Sequence, residues 1–288
     1  MGLLSLKMIS KKKKKKEKKF IDIEELIRSK NPKLIRWLPR FVIWYLKKIL
    51  HQDELNHFLS LNKHKYDFEF CKAVIDYFNI KIKIVGGENV PKTGPIILAM
   101  NHPLGAMDGV ALISAIRNHR TDIKYIVNDI LMNVDNMKGL FVGVNKHGKN
   151  DQRTHDNIDD LFLSDNAVCI FPSGLVSRKS KGKIRDLIWK KTFVVLGKKY
   201  NRSVVPIHID GKLSNFFYRL SNFRKKIGIK ANIEMLYLAD EMFKQKNKEM
   251  TFTIGKPIDL NQLSEENPKL NDKQLAGLIY NKLYELEK

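Results

Sequence analysis

Residues 96–109 read Ile-Ile-Leu-Ala-Met-Asn-His-Pro-Leu-Gly-Ala-Met-Asp-Gly, an apolar run that ends in a polar corner. The apolar run predicts a buried strand, and Pro103 both keeps His102 out of the helical region and suits the first position of a following helix. Asp108 would lie on a different side of an ideal helix, so its contact with His102 requires this corner, for which Gly105 supplies conformational freedom. Such a contact would fix the tautomer of the imidazole and equip it as a general base. The alternative is a surface histidine at a helix start beside an unrelated aspartate.

Short apolar or β-branched runs alternate with helical patterns around this corner. Buried parallel strands have continuous apolar sequences and are joined by helices. The sequence therefore predicts an α/β fold with a central, mostly parallel sheet flanked by helices. Predicted strands are 80–85, 96–100, 123–127, 141–144, 167–171, 204–209, 232–238 and 251–254. Predicted helices in the same part of the chain are 105–118, 151–163, 186–200, 213–226 and 272–286.

The N-terminal part of the chain has a different, basic and helical pattern. Residues 11–19 are lysine apart from a single glutamate, and their like charges repel one another. Residues 20–78 predict amphipathic helices, broken at Pro39, with Trp37 and Tyr45 on an apolar side that is typical of a bilayer interface. A solubilising tail and ordinary core-facing helices are the alternatives. We expect a basic disordered tail over 1–19, an N-terminal helical membrane-interface segment over 20–78 and an α/β domain over 79–288.

Composition narrows the choice of partners. The 288 residues carry 53 Lys and Arg against 31 Asp and Glu, a formal charge of +22, which calls for a polyanionic partner. Nucleic acid is disfavoured, because the sequence has no aromatic-and-glycine single-strand motif and no zinc or helix-turn-helix pattern. No apolar run approaches the ~18 residues of a spanning helix, so an integral membrane protein is not expected. Cys71 and Cys169 lie in apolar runs and suit a reducing cytoplasm.

Three further segments follow the corner, each at or beside an apolar strand. They are Gly-Leu-Phe-Val-Gly-Val-Asn at 139–145, Phe-Pro-Ser-Gly-Leu-Val-Ser-Arg at 171–178 and Val-Val-Pro-Ile at 204–207. Together with the corner, they resemble the ordered sequence blocks of the glycerolipid acyltransferases, the family of 1-acylglycerol-3-phosphate acyltransferase, over about residues 80–260. The Phe-Pro-Ser-Gly block looks like that of the lysophospholipid, haemolysin-like bacterial branch, which includes proteins that acylate lyso-aminolipids.

The chain departs from the family pattern at several positions. One more residue separates His102 from Asp108 than in the family's first block. Asn145 stands where the second block has Arg, and in the third block Ser173 replaces Glu and Val176 replaces Arg. The family uses these missing charges around a glycerol phosphate headgroup. The resemblance therefore leaves the acceptor open between lysophosphatidate and a lyso-aminolipid.

The resemblance implies transfer of an acyl group from an acyl-CoA or acyl carrier protein thioester to the hydroxyl of a lysolipid. His102 is the implied general base, Asp108 is its partner, and neither a cofactor nor a metal is implied. Candidate oxyanion donors are the backbone amides of Ser173 and Gly174. The other candidate substrate-binding residues lie in or after the second and third blocks and are Asn145, Lys146, Arg153, Ser177, Arg178 and Lys179. Solvated basic loops are the alternative for the charged members of this set.

A lipid substrate and a large positive charge together imply a peripheral protein on the cytoplasmic face of the inner membrane. Its expected partners are the lysolipid acceptor, the acyl donor and an anionic membrane surface. The alternative function is that of a non-catalytic basic protein that binds a membrane surface or nucleic acid.

Overall fold

The computed structural model describes residues 20–128, 132, 134–144 and 152–287 of the chain. The chain divides into two compact units between Leu61 and Asn62. This boundary precedes the expected one at residue 78, because the helix Asp67–Phe78 packs against the helix Ala106–Ile116 of the second unit. The expected disordered tail lies outside the described residues.

The first unit is helical in its described part. Its helices are α1 (Ile23–Lys30), α2 (Pro32–Trp37), α3 (Arg40–Ile49) and α4 (Gln52–Asn62). Asp22 caps α1 and Asn31 caps α2, and Pro39 separates α2 from α3 as predicted. Large apolar side chains remain exposed here, including 85% of Trp37 and 71% of Phe41. Within the described residues, no helix combines the length and the apolar character needed to cross a bilayer.

The second unit is organised around one large sheet. Its strands are β1 (Lys81–Val85), β2 (Ile96–Met100), β3 (Ile123–Asn128), β4 (Phe141–Val144), β5 (Ala167–Ile170), β6 (Arg178–Ser180), β7 (Lys183–Arg185), β8 (Ser203–Asp210) and β9 (Glu249–Ile254). Among the described residues, seven strands form the sheet in the order β1-β9-β8-β2-β5-β3-β4, and β6 pairs separately with β7. Neighbouring strands of the large sheet are parallel except for β8 and β9. The predicted α/β class with a mostly parallel sheet is confirmed.

Helices pack against this sheet and enclose its core. They are α5 (Asp67–Phe78), α6 (Ala106–Ile116), α7 (Gln152–Leu163), α8 (Thr192–Lys199), α9 (Asn215–Lys226), α10 (Leu238–Phe243), α11 (Leu260–Glu266) and α12 (Asp272–Tyr284). Side chains of α8, α11 and α12 form a buried cluster with Ile97, Val168 and Val204 of the central strands. Every residue of β2 is buried. The carboxyl end of β2 lies between β5 and β8. The position of the polar corner that follows β2 is therefore fixed.

Two sequence predictions are wrong in the C-terminal half. The predicted strand 232–238 is a 3₁₀ helix, Ile233–Tyr237, that continues into α10, because Glu234 is buried there between arginine side chains. The predicted helix 186–200 begins only at Thr192, since Asp186 holds the preceding chain in an irregular path through its carboxylate. The hairpin of β6 and β7 was not predicted.

The antiparallel step from β8 to β9 determines where the intervening chain lies. β8 runs parallel to β2, so both strands end at the same edge of the sheet. β9 runs back from that edge. Residues 211–248 therefore leave and rejoin the sheet at its carboxyl edge, where His102 follows β2.

Two buried arginines hold the opposite, amino edge of the sheet. Arg202 is 1% exposed, and burial lowers the pKa of its guanidinium to about 10. It donates hydrogen bonds to the carbonyls of Ile96, Leu161, Phe162, Ser164 and Asn166. Arg120 pairs with Asp122 and donates to the carbonyls of Pro91, Gly94 and Asp165.

Candidate active site

The candidate site begins at Asn101, the first residue after β2. Its side-chain amide donates to the carbonyl of Ile209 at 2.9 Å and accepts from the N–H of Ile209 at 2.7 Å. The amide thus continues the ladder between β2 and β8 by one step, with a side chain in place of the backbone. Asn101 is only 3% exposed. Because this buried residue is held by two hydrogen bonds, the backbone of the following His102 starts from a fixed position at the end of the sheet.

His102 and Asp108 are in contact, as the sequence predicts. Nδ1 of His102 lies 2.9 Å from Oδ2 of Asp108, which also accepts the N–H of Leu104 at 2.9 Å. Gly105 makes the corner at φ 74° and ψ −136°, a conformation that residues with a Cβ rarely adopt. Since an ionised carboxylate only accepts, Nδ1 carries the proton and Nε2 has the free lone pair. Nε2 makes no hydrogen bond within the described residues, and 18% of the His102 side chain is exposed.

Asp108 is an incompletely satisfied buried carboxylate. It has no exposed surface, and its Oδ1 has no hydrogen-bond partner among the described residues. Burial raises the pKa of Asp108, whereas the hydrogen bond and charge of His102 act in the opposite direction. A buried acceptor without a partner is costly, on the order of 1–3 kcal/mol. The site therefore favours a positive charge beside this carboxylate, which a protonated imidazole would supply.

The third sequence block returns to the corner and fixes the backbone of His102. The N–H of Ser177 donates to the carbonyl of His102 at 2.8 Å. The N–H of His102 donates to Oδ1 of Asp186 at 3.0 Å, and the Ser177 hydroxyl donates to the same oxygen at 2.5 Å. Phe171 stacks on the imidazole with ring centroids 4.0 Å apart and planes inclined by 25°. Both polar groups of the His102 backbone and one face of its ring are thus held.

Asp186 is a functional candidate that the sequence analysis missed. It is buried and its second oxygen accepts the indole N–H of Trp189 at 3.0 Å, while its own N–H donates to the Tyr284 hydroxyl at 2.8 Å. Burial raises the pKa of Asp186, and the hydrogen bonds that it accepts oppose this shift. The sequence analysis placed Asp186 only at the start of a predicted helix, because its hydrogen bond with the backbone of His102 spans 84 residues. Asn101 was quoted in the motif but its role in the strand ladder was also missed.

The turn after Phe171 uses most of its own polar groups. The Ser173 hydroxyl donates to the carbonyl of Leu175 at 2.8 Å. The N–H of Gly174 donates to the carbonyl of Phe171 at 2.9 Å, so it is not available to an oxyanion in this conformation. Lys190 was not singled out in the sequence, yet its Nζ lies 3.6 Å from the position that a Cβ on Gly174 would occupy. A surface cation therefore lies beside the turn.

Arg178, which the sequence predicts as a substrate-binding residue, is buried and paired within the fold. It is 5% exposed, and its Nη2 donates to Oε1 of Glu234 at 2.9 Å. Arg224 pairs with the same buried carboxylate. The charge of Arg178 is thus already compensated within the fold. Val176, at the position where the family carries Arg, is 1% exposed and belongs to the core.

The remaining predicted residues are Asn145, Lys146, Arg153 and Lys179. Asn145 and Lys146 lie outside the described residues, as does the side chain of Arg153. Lys179 is partly exposed in β6, and its carbonyl accepts from Asn222 at 3.2 Å. Within the described residues, no group of three or more His, Cys, Asp or Glu side chains is arranged to hold a metal ion. The structure thus brings together His102, Asp108 and Ser177. Ser173 and Gly174 lie in the turn that follows Phe171, whose ring stacks on His102.

The geometry of His102 and Asp108 suits general acid–base catalysis. An imidazole with a carboxylate on Nδ1 and an unpaired Nε2 can accept a proton from a hydroxyl and later return it. The stacked ring and the fixed backbone limit its motion, which favours reaction with a substrate held nearby.

Comparison with known proteins adds four findings. The profile of a family described as Acyltransferase matches residues 25–284. A protein of Bacteroides thetaiotaomicron named lyso-glycine lipid O-acyltransferase is 46% identical over 239 residues, which cover 83% of this chain and 88% of that protein. A protein of the same name from Phocaeicola vulgatus is 46% identical over 239 residues, with coverage of 83% and 86%. The crystal structure of the 1-acyl-sn-glycerophosphate (LPA) acyltransferase from Thermotoga maritima aligns over 91% of both chains with a TM-score of 0.49 and 18% identity.

Proposed function

Because the chain belongs to the acyltransferase family, we propose that it transfers a fatty acyl group from a thioester to the free hydroxyl of a lyso-glycine lipid. The donor is an acyl-CoA or an acyl carrier protein thioester. The observation that carries the proposal is the His102–Asp108 pair, which leaves Nε2 free at the carboxyl edge of the central strand. The name of the two relatives supports the acceptor class.

His102 is the general base of the proposed reaction. Nε2 takes the proton of the acceptor hydroxyl while the hydroxyl oxygen bonds to the thioester carbonyl carbon. When the tetrahedral intermediate collapses, the C–S bond breaks and the imidazolium returns the proton to the thiolate. The products are an ester and a free thiol, and no covalent acyl-enzyme forms. Such general-base assistance typically contributes ~10²–10⁴-fold.

Asp108 supports this proton transfer by its charge and its position. It accepts the proton on Nδ1 throughout the reaction, which keeps Nε2 in the basic tautomer. Its second oxygen lacks a partner, so the carboxylate gains a compensating charge when the imidazole becomes protonated. The pair is therefore stabilised more in the transition state than in the resting site, as catalysis requires.

The pairing of Arg178 supports an acceptor with less negative charge than a phosphate monoester. A phosphate monoester carries close to two charges, and several kcal/mol or more is lost if such a group is buried without cations. Here Arg178 is compensated by Glu234 and Val176 is in the core. A glycine carboxylate carries one charge, for which Lys190 beside the Gly174 turn is a suitable single partner.

Peripheral attachment to the cytoplasmic face of the membrane belongs to the same proposal. The first unit exposes Trp37, Phe41 and Trp44, and Lys48 lies over the ring of Trp44 at 5.3 Å. Aromatic rings beside cations match the bilayer interface, where anionic headgroups lie next to acyl chains.

A competition between acceptors tests the proposed function. The purified full chain is given a lyso-glycine lipid, lysophosphatidate or glycerol 3-phosphate, with acyl-CoA and acyl carrier protein thioesters in separate arms, and the His102→Ala variant as the blank. We expect the highest kcat/KM for the lyso-glycine lipid with whichever donor is used. A higher kcat/KM for lysophosphatidate would contradict the proposed acceptor, and ester formation by His102→Ala at the wild-type rate would contradict the mechanism.

A further inference from the structure

The segment between β8 and β9 has a surface that the proposed acyl transfer does not explain. The segment lies at the carboxyl edge of the sheet and contains α9, the 3₁₀ helix Ile233–Tyr237 and α10. One side of α9 packs on its own unit through Phe217, Tyr218, Ser221 and Arg224, all buried.

A second apolar stripe runs along α9 and faces solvent. The stripe consists of Phe216, Leu220, Phe223 and Ile227, whose spacings of four, three and four place them on one side of a helix. Phe216 is 47% exposed, Phe223 59% and Ile227 52%. Ile229 and Leu236 nearby are also exposed. An ordinary surface helix has a single apolar face, so this second one, which we name the α9 stripe, requires another explanation.

The exposed charges in the segment 211–237, which carries the α9 stripe, are all of one sign. Exposed cations between residues 211 and 237 are Lys212, Arg219, Lys225, Lys226 and Lys230. The single acid in this range, Glu234, has no exposed surface and is paired with Arg178 and Arg224. The surface around the α9 stripe is therefore complementary to an anionic partner that also offers apolar contact.

The α9 stripe is firmly connected to the candidate active site. The carboxylate of Glu234 joins Arg224 of α9 to Arg178 of the third block. Asn222 of α9 donates to the carbonyl of Lys179 in the same hairpin, and the Leu238 side chain lies 3.6 Å from where a Cβ on Gly105 would be. A partner that holds the α9 stripe thus also holds the site that contains His102.

We infer that the α9 stripe docks on the surface of an anionic lipid bilayer, as a membrane contact of the α/β unit distinct from residues 20–61. Phe216, Phe223 and Ile227 enter the interface while the rim of lysine and arginine binds lipid headgroups. Exposed apolar side chains along α9, in a segment whose exposed charges are all cationic, fit a fluid anionic surface better than a folded protein partner. Membrane binding is measured without turnover, so its failure is distinct from a failure of the proposed transfer.

A fluorescent label placed in the α9 stripe tests this inference directly. Cys71 and Cys169 are both fully buried, so a Phe223→Cys variant of the full chain can be labelled selectively with an environment-sensitive dye. The matched control is Leu163→Cys, because Leu163 is 70% exposed at the end of α7 but has Asp159, Asp160 and Asp165 around it in the sequence.

On vesicles of phosphatidylglycerol and phosphatidylethanolamine, we expect the Phe223→Cys label to shift to the blue and the Leu163→Cys label to stay unchanged. A companion variant, Lys225→Glu with Lys226→Glu, should reduce partitioning of the full chain to these vesicles by about tenfold or more at low salt. No shift of the Phe223→Cys label while the chain sediments with the vesicles would overturn the inference. A shift that appears only with acyl carrier protein, and not with vesicles, would overturn it in favour of a protein partner.

Discussion

The two edges of the sheet fix their loops with buried charges of opposite sign. At the amino edge, Arg202 and Arg120 donate to backbone carbonyls. At the carboxyl edge, Asp108 and Asp186 accept from N–H and O–H groups. Cations suit the carbonyls at helix ends and strand starts, whereas anions suit the N–H groups of turns that enter helices.

The edges differ in how completely these charges are satisfied. The guanidinium of Arg202 is surrounded by carbonyl acceptors from several segments. Asp108 by contrast keeps one oxygen without a partner among the described residues, next to an imidazole that is partly exposed. We expect the amino edge to contribute to stability, whereas the carboxyl edge keeps an acceptor oxygen and an imidazole nitrogen available for a proton and a charge.

His102→Ala should reduce kcat by roughly 10²–10⁴-fold, since the general base is lost. Asp108→Asn should reduce kcat comparably, because an amide can present a donor to Nδ1 and so favour the wrong tautomer. Initial rates of ester formation at saturating substrates measure both effects. His119→Ala is the matched control, because His119 binds the carbonyl of Val90 away from the corner, and it should keep kcat within about twofold. An equal loss of kcat in His102→Ala and His119→Ala would contradict the idea that only the carboxyl edge serves catalysis.

Arg202→Met should lower the free energy of unfolding by about 3 kcal/mol or more, because several buried carbonyls lose their donor at once. The folded fraction should retain its kcat. Urea titration followed by circular dichroism gives the stability, and rates per folded molecule give the activity. Arg219→Met, at an exposed arginine of α9, should change stability by less than about 0.5 kcal/mol. A strong loss of kcat in folded Arg202→Met would show that the amino edge also serves catalysis.

Asp186→Asn should lower kcat by about tenfold while KM changes little, since a small displacement of a positioned base reduces the rate. Asp186 does not touch the reacting atoms; it acts as a positioning residue through the backbone of His102. The amide keeps one oxygen acceptor, so Asp186→Ala should lose more activity than Asp186→Asn. If the two variants lose equally, or if KM alone rises, the positioning role is wrong.

The pH dependence of stability gives a smaller, independent test at Asp186. Burial raises the pKa of this carboxyl above its ordinary value of 3.8, so the folded protein holds the proton more tightly than the unfolded chain. The contribution of Asp186 to the free energy of unfolding therefore falls as the pH rises from about 4 through the raised pKa. Asp186→Asn lacks this titration and should gain stability relative to wild type over the same window. Urea midpoints of both proteins at acidic and neutral pH measure the difference, and the opposite sign would contradict the effect of burial.

Arg178→Met is expected to have the smallest effect on function. The charge of Arg178 is compensated by Glu234, so its removal should leave the ratio of kcat/KM for the lyso-glycine lipid and lysophosphatidate unchanged within about twofold. Competition between the two acceptors in one assay measures this ratio. Stability should fall, because the buried Glu234 carboxylate keeps the charge of Arg224 but loses that of Arg178. A large shift in the ratio would mean that Arg178 reaches the acceptor.

Local sequence signals were sufficient to predict the central strand and the polar corner. The apolar run of β2, Pro103 and Gly105 all act over a few residues, so they predict both the corner and the contact of His102 with Asp108. The alternation of apolar runs and helical patterns likewise predicted the parallel sheet. These features depend on backbone preference and periodicity, which a single sequence displays.

Long-range pairing of charges could not be predicted in the same way. Arg178 is predicted as a substrate ligand from its place at the end of the third block. Its pairing with Glu234 was missed, because Glu234 lies 56 residues further on, within a stretch that resembles a strand. Asp186 collects donors from His102, Ser177 and Trp189, and no sequence pattern marks such a convergence. The β-branched and apolar residues around Glu234 favour a strand locally. Burial of the Glu234 carboxylate between two arginines instead favours the 3₁₀ helix that the structure shows.

The strand order of the sheet also affects how the chain folds during its synthesis on the ribosome. Among the strands of the described residues, β1 pairs only with β9, with Lys81 opposite Glu249, 168 residues later. Since synthesis proceeds from the N-terminus, β1 emerges early and waits without a strand partner until β9 has been made. Waiting strands are prone to pair with other chains, and charged side chains are a known protection. The alternating Lys-Ile-Lys-Ile-Val sequence of β1 gives it that protection, so the nascent chain can remain monomeric until its last strand arrives.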